Sequence, residues 1–161
     1  MRENTVRRCC FTGHRPFKLG IPEEEAKALL EAATDEAIKD GYTDFFSGMA
    51  DGIDIWAAEI IIKKKRENPD IKLICVLPYA GTGERRSYAK RSEFDQVIKN
   101  ADEVVVISPK YTTYCFFERN KYMTDRSSRI IAAFNGAAGG TKYTVDYALE
   151  KGLEVVNILA R

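Results

Sequence analysis

Strand-like and helical apolar patterns alternate along this chain, and the alternation repeats five times. Short apolar runs at residues 6–12, 43–46, 71–77, 103–107, 130–134 and 153–158 read as strands. Between them lie helical stripes. Pro22 opens the first, with Glu23, Glu24 and Glu25 in its first turn, where proline is tolerated and acids suit the helix dipole. Ala26, Leu29, Leu30, Ala33 and Ala37 then form one buried stripe, and Gly41 stops it. A second helix buries Ile53, Trp56, Ala57, Ile60 and Ile61 and ends in Lys63, Lys64, Lys65 and Arg66, cations that complement the dipole and aid solubility. Further helices are predicted over residues 84–99, 114–126 and 141–151, the last stopped by Gly152. Repeated strand–helix–strand units give parallel strands with right-handed crossovers. The prediction is an α/β, Rossmann-like three-layer α/β/α domain with a mainly parallel sheet in strand order 3-2-1-4-5-6. One domain is expected over residues 1–161.

Composition excludes several classes. With 45% hydrophobic and 30% charged residues the chain is neither disordered nor collagen-like. Twenty-five Lys plus Arg against 24 Asp plus Glu leave a net charge of +1, too little for bulk attraction to nucleic acid or an anionic membrane. No apolar run approaches the roughly 18–20 residues needed to cross a bilayer. The start MRENTVRR is too polar for a signal peptide, so a cytoplasmic protein with no membrane partner is expected. Cys9, Cys10, Cys75 and Cys115 show no CxxC spacing and have only His14 to join them, so they are expected as reduced core thiols, with no metal site.

In an open parallel sheet, ligands bind beyond the carboxyl ends of the strands. Five loops leave those ends: GHRP from Gly13, SGMADG from Ser47, PYAGTGE from Pro78, SPKY from Ser108 and NGAAGGT from Asn135. In the first, Gly13 admits close backbone approach, Arg15 offers a fork matched to phosphate, and His14 can donate a hydrogen bond or move a proton. In the second, Ser47 and Gly48 free backbone N–H groups at a helix start. Asp51 there either caps the helix or takes a ligand hydroxyl, and Asp54 suits the first turn electrostatically. The last loop is the strongest, because Asn135 leads to Gly139, Gly140 and Thr141 at a helix start, a phosphate cradle with a hydroxyl donor. It is neither a Walker A loop nor GxGxxG. Arg119 and Asn120 form either a surface pair or part of the site. Tyr79 stacks on a base or packs at the rim.

The segments FTGHRP, SGMADGIDIWAAE, RNKYMTDRS and NGAAGGTKYTVDYA together resemble the YpsA-like family of the SLOG superfamily, over residues 10–156. SGMADGID is also similar to the DNA-processing protein A family, and Gly139-Gly140-Thr141 to the phosphate loop of Lonely-guy phosphoribohydrolases. The resemblance implies a Rossmann-like fold that binds a nucleotide or a nucleotide-derived molecule, with ADP-ribose-like and NAD-like compounds as candidates and no certain cofactor. It also implies that Gly13, Arg15, Ser47, Gly48, Gly139, Gly140 and Thr141 line a phosphate site, flanked by His14, Asp51, Arg119 and Asn120. One departure matters. Lonely-guy enzymes carry a glutamate three residues after the loop threonine, where this chain has Thr144; the nearest acid, Asp146, faces elsewhere on the helix.

The leading expectation is therefore a sensor or regulatory domain for a small nucleotide-derived ligand. The alternative is an N-glycosidic hydrolase of nucleotides in which Asp51, Asp54 or Glu118 supplies the missing carboxylate. A nucleic-acid-binding module ranks third because the charge is near neutral. A homo-oligomer remains open.

Overall fold

The computed structural model describes residues 6–160, and the ends of the expected domain, residues 1–5 and 161, lie outside them. The elements follow in order as β1 (Arg8–Gly13), a short 3-10 turn (Pro16–Lys18), α1 (Glu23–Lys39), β2 (Asp44–Ser47), α2 (Ile53–Glu67) and β3 (Lys72–Tyr79). Then come α3 (Tyr88–Asn100), β4 (Glu103–Ser108), α4 (Cys115–Asp125), β5 (Arg129–Ala133), α5 (Gly140–Glu150) and β6 (Glu154–Asn157). Each expected strand and helix is present. α3 begins later than predicted because Ser87 caps it, its hydroxyl accepting from the Lys90 N–H, while residues 84–87 remain in turns.

The sheet has six strands, all paired in parallel, in the order β4-β3-β2-β1-β5-β6. The runs 3-2-1 and 5-6 are as expected. β4 differs: it lies outside β3 instead of between β1 and β5, so the first half of the fold holds four strands. The cause is the side on which α3 packs. Phe94 and Val97 of α3 share a core with α1 and α2, so the chain takes one more step outward before it returns. As an edge strand, β4 is the least buried of the first five, with Val104 and Val106 open to solvent.

Strand side chains alternate between two cores, as the twofold pleat requires. Cys9, Phe11, Phe45, Leu73 and Ile131 face α1, α2 and α3. Cys10, Phe46, Ile74 and Ile130 face Met123 of α4 and Ala148 of α5. Both faces are covered, which explains why β3 reads as an unbroken apolar run. All four cysteines are buried free thiols, and burial pushes Cys10 and Cys75 up to about 12, so they remain protonated packing groups. The basic end of α2 has a structural role as well: Lys64 meets Glu31 at 2.8 Å and Asp35 at 2.9 Å on α1, and Lys65 meets Asp102 at 2.7 Å.

The direction in which successive strands are added reverses between β1 and β5, and this is where the carboxyl-end crevice opens. There α2 packs very closely on the end of β1. A Cβ built on Gly13 would sit 2.4 Å from Ile53 Cγ1, so this glycine is required by helix–strand packing, whatever a ligand does. Gly13→Ala is expected to lower stability by about 1–3 kcal/mol, the usual cost of overpacking. In urea denaturation the double variant Gly13→Ala/Ile53→Ala should lose less than the sum of the two single variants, because the second change removes the Cγ atoms that the new Cβ would meet.

Candidate functional site

A cavity of about 270 Å³ lies at the β1/β5 crevice. β1 and the turn after it supply Thr12, Gly13, His14, Arg15 and Lys18; the α2 side supplies Ala50 and Asp54. Phe116, Arg119 and Asn120 come from α4, and residues 138–141 from the start of α5. Two larger hollows, about 400 and 410 Å³, are grooves between α2 and α3 and between α1 and α2, away from the carboxyl-end loops. Neither contains a buried polar group without a partner. The smaller cavity does.

That group is His14. Its side chain is only 7% exposed, and its Nε2 is buried with no hydrogen-bond partner among the described residues. A buried imidazole nitrogen left unpaired is costly, so its presence at a cavity wall needs an explanation. The ring leans on Phe134 at 5.6 Å between centroids. Burial pulls its pKa below the usual value of 6.5, Lys18 acts in the same direction, and a side-chain contact with Asn135 opposes them. His14 is therefore neutral at pH 7, with one nitrogen free to donate to or accept from whatever enters.

Asp54 and Arg119 form the cavity's charged floor and are 6% and 7% exposed. The Asp54 carboxylate accepts from the Ala50 N–H at 3.2 Å. Burial raises its pKa, while Arg119, that backbone bond, Arg15 and Arg86 pull it back down. Arg119 donates from one terminal nitrogen to the Gly48 carbonyl at 2.9 Å and from Nε to Asn120 Oδ1 at 3.1 Å. Burial lowers its pKa and Asp54 resists the change. A guanidinium stays charged in any protein setting, so the cavity retains that cation. Arg15 is exposed at the rim and Lys18 stands beyond it, so three fixed cations confront one carboxylate.

The helix start completes the wall. Gly139, at φ +141°, precedes α5, and no side chain caps the first turn. Its N–H groups are therefore unclaimed by a cap and carry the positive end of the dipole. A Cβ on Gly140 would meet nothing within 4 Å, so a larger residue there would project into open cavity space.

Of the residues expected at a site, the fold brings Gly13, His14, Arg15, Arg119, Asn120, Gly139, Gly140 and Thr141 to this one cavity. The other four lie outside its lining. Ser47 is fully buried, its hydroxyl donating to the Asp54 carbonyl at 2.8 Å and accepting from the Met49 N–H at 3.2 Å. Gly48 makes room, since a Cβ there would fall 2.9 Å from Arg119 Nε. Asp51 neither caps α2 nor faces the cavity; Gly52 holds the cap position, and Asp51 pairs outward with Arg86 at 3.4 Å and Lys90 at 3.6 Å. Asn135 shapes its loop, donating to the Lys18 carbonyl at 3.0 Å and accepting from the Ala137 N–H at 2.9 Å. The SGMADG loop is thus satisfied by the protein itself. Arg86 closes it by donating to the Met49 carbonyl at 2.7 Å, and Met49 holds a left-handed φ of 61°.

Thr12, Lys18, Ala50, Phe116 and Ala138 also line the cavity, beyond the residues that the sequence singles out. Lys18 was legible in principle, three residues after Arg15 and turned back by Pro16. Phe116 was not, because only the return of α4 across the sheet brings it here. Among the acids weighed for catalysis, Asp54 lines the cavity and Asp51 and Glu118 do not. Asp146 is held by Lys142 at 2.6 Å, and Thr144 donates to the Gly140 carbonyl at 3.0 Å within α5.

Fold and cavity together define a Rossmann-like α/β protein with a polar, cation-rich cavity at the switch point of its sheet. The YspA SLOG family model matches residues 9–156, and the chain belongs to that family. Similar proteins include a UPF0398 protein of Bacillus cereus (strain G9842), 27% identical over 150 residues that cover 88% of this chain and 82% of the relative. A UPF0398 protein of Bacillus thuringiensis (strain Al Hakam) matches with the same identity and coverage. Among solved structures, DNA processing protein A from Streptococcus pneumoniae superposes with TM-score 0.64 at 22% identity. The match covers 93% of this chain and about half, 49%, of that one. The molybdenum cofactor binding protein from Rippkaea orientalis superposes with TM-score 0.58 at 18% identity, covering 95% of this chain and 76% of that one. These likenesses establish the shared fold. Among the described residues no helix is long and apolar enough to cross a membrane.

The lowered pKa of His14 has a definite sign in stability. Above about 6.5 the imidazole is neutral folded and unfolded, so it contributes no pH dependence. Below that value the unfolded chain takes up the proton more readily, and the native state loses ground as pH falls. Urea melts at pH 7.5 and 5.5 should show the native protein losing more stability than His14→Gln over that interval.

Proposed function

We propose that the cavity binds the phosphate of a small nucleotide-derived ligand and that the protein acts in the cytoplasm as a sensor or regulatory domain. The observation that carries this reading is the unpartnered, buried His14 Nε2 opposite the uncapped start of α5. An anion there would accept from the α5 N–H groups, pair with Arg15 and Lys18, and engage His14. ADP-ribose-like and NAD-like molecules are the candidate ligands. The rest of the molecule supports a small ligand over a nucleic acid, since the overall charge is +1 and Arg15, Lys18 and Arg119 gather at one pocket.

One observation favours a second reading, cleavage of an N-glycosidic bond. Asp54 places a desolvated carboxylate in the cavity wall, where it would stabilise an oxocarbenium-like centre while water attacks and the free base departs. Release of free base from a nucleoside monophosphate, lost in Asp54→Asn, would establish it. Undiminished ligand binding without turnover would leave the sensor.

Calorimetric titration with ADP-ribose and AMP tests the main reading. Arg15→Ala is expected to weaken binding by roughly 1–3 kcal/mol, the range for a lost hydrogen bond to a charged group. Gly140→Val is expected to block binding while the thermal unfolding midpoint holds. No binding of any phosphate-bearing ligand at millimolar concentration would refute the reading; global unfolding of Gly140→Val would assign that glycine to backbone geometry.

A further inference from the structure

Three aromatic rings pack together beside the cavity, and one of them, Phe116, lines it. Tyr79 ends β3, Tyr111 lies in the loop after β4, and Phe116 belongs to the first turn of α4. Their centroids are 5.7 Å apart for Tyr79 and Tyr111, 6.2 Å for Tyr79 and Phe116, and 6.0 Å for Tyr111 and Phe116. All three pairs are edge-to-face, with interplanar angles of 88°, 80° and 62° respectively. Such packing fixes each ring by its neighbours, yet Tyr111 remains 61% exposed and Phe116 39%. Phe116 belongs to both features. It lines the cavity, and the Arg119 guanidinium carbon lies 5.5 Å from its ring centroid.

We propose that this cluster is a stacking platform for the base of a nucleotide whose phosphate occupies the adjoining cavity. The proposal rests on the phosphate reading above and adds the place where the base is held, one that a bare sugar phosphate would leave empty. Aromatic side chains at a carboxyl rim lie where ligands enter an open parallel sheet. Every nucleobase offers a π-face, so stacking needs no edge-reading hydrogen bonds. The Arg119 guanidinium near Phe116 helps hold that ring in place and connects platform to phosphate site through one residue. A purine, having the larger face, is preferred over a pyrimidine.

AMP and ribose 5-phosphate differ by the base alone, so their affinities for the full chain, measured by calorimetry, separate the two ideas. AMP is expected to bind at least roughly tenfold more tightly, the size of one base–aromatic stack. Tyr111→Ala, in the loop after β4 and outside the cavity lining, should erase most of that gap and leave ribose 5-phosphate unchanged, while Tyr111→Trp keeps it. Phe116→Leu, which keeps apolar bulk at a residue that also lines the cavity, should likewise narrow the ratio of the two affinities. Equal affinities in the native protein would overturn the platform and leave the phosphate site standing. Binding of neither compound would overturn both. A dimer in sedimentation velocity that Phe116→Leu dissociates, with the affinity gap intact, would assign the rings to self-association and overturn the proposal.

Discussion

The distribution of helices over the two faces of the sheet is the constraint on which the rest depends. α1, α2 and α3 share one core with the sheet, and α4 and α5 share the other. The chain must therefore change faces once, in the long return from β4 to β5, and it does so across the whole width of β3, β2 and β1. The loops after β1 and β5 then diverge, one toward each layer, and a crevice opens between them at the carboxyl rim. Both walls of the cavity are consequences. The turn after β1 leads toward α1, the cradle after β5 leads into α5, and α4 crosses above to deliver Arg119 and Phe116.

Burying charge at that point requires compensation, and the SGMADG loop supplies it. Asp54 and Arg119 are both desolvated, and each has its charged form favoured by the other. Hydrogen bonds add to this: the Ala50 N–H donates to the acid, and the Gly48 carbonyl and Asn120 Oδ1 accept from the base. Gly48 can bear a guanidinium so close because it lacks a Cβ. Ser47, which looks like a ligand group in the sequence, instead ties the loop to α2 through the Asp54 carbonyl. The loop is a scaffold for two charges, and at the cavity the unsatisfied capacity is left at His14 and at the start of α5.

Much of this was legible. The twofold and 3.6-fold apolar periods identified each strand and helix, and glycine stops at Gly41 and Gly152 adopt the positive φ values, +94° and +83°, that such ends require. GHRP and the Gly139-Gly140-Thr141 turn were recognisable because short loops after strands leave few places for their residues to go. That Asp51 and Ser47 lie outside the cavity lining is not legible, because a polar residue in a helix-start loop has the same sequence appearance whether it turns inward, outward or toward the opening. The place of β4 was illegible for a related reason: an edge strand and a central one differ in what lies beside them, and the run Val104-Val105-Val106-Ile107 records only that it is a strand.

Local composition determined the elements of this protein, their parallel pairing and the end of the sheet at which its polar loops gather, since periodicity, helix stops and crossover handedness all act over short stretches of chain. Tertiary structure alone decided which loops meet. Phe116 and Arg119 reach the cavity from a helix that follows the edge strand, about a hundred residues after His14 and Arg15, and no local rule carries information over that separation. Only the packing of α3 on the first face, and the single change of face that follows, brings them together.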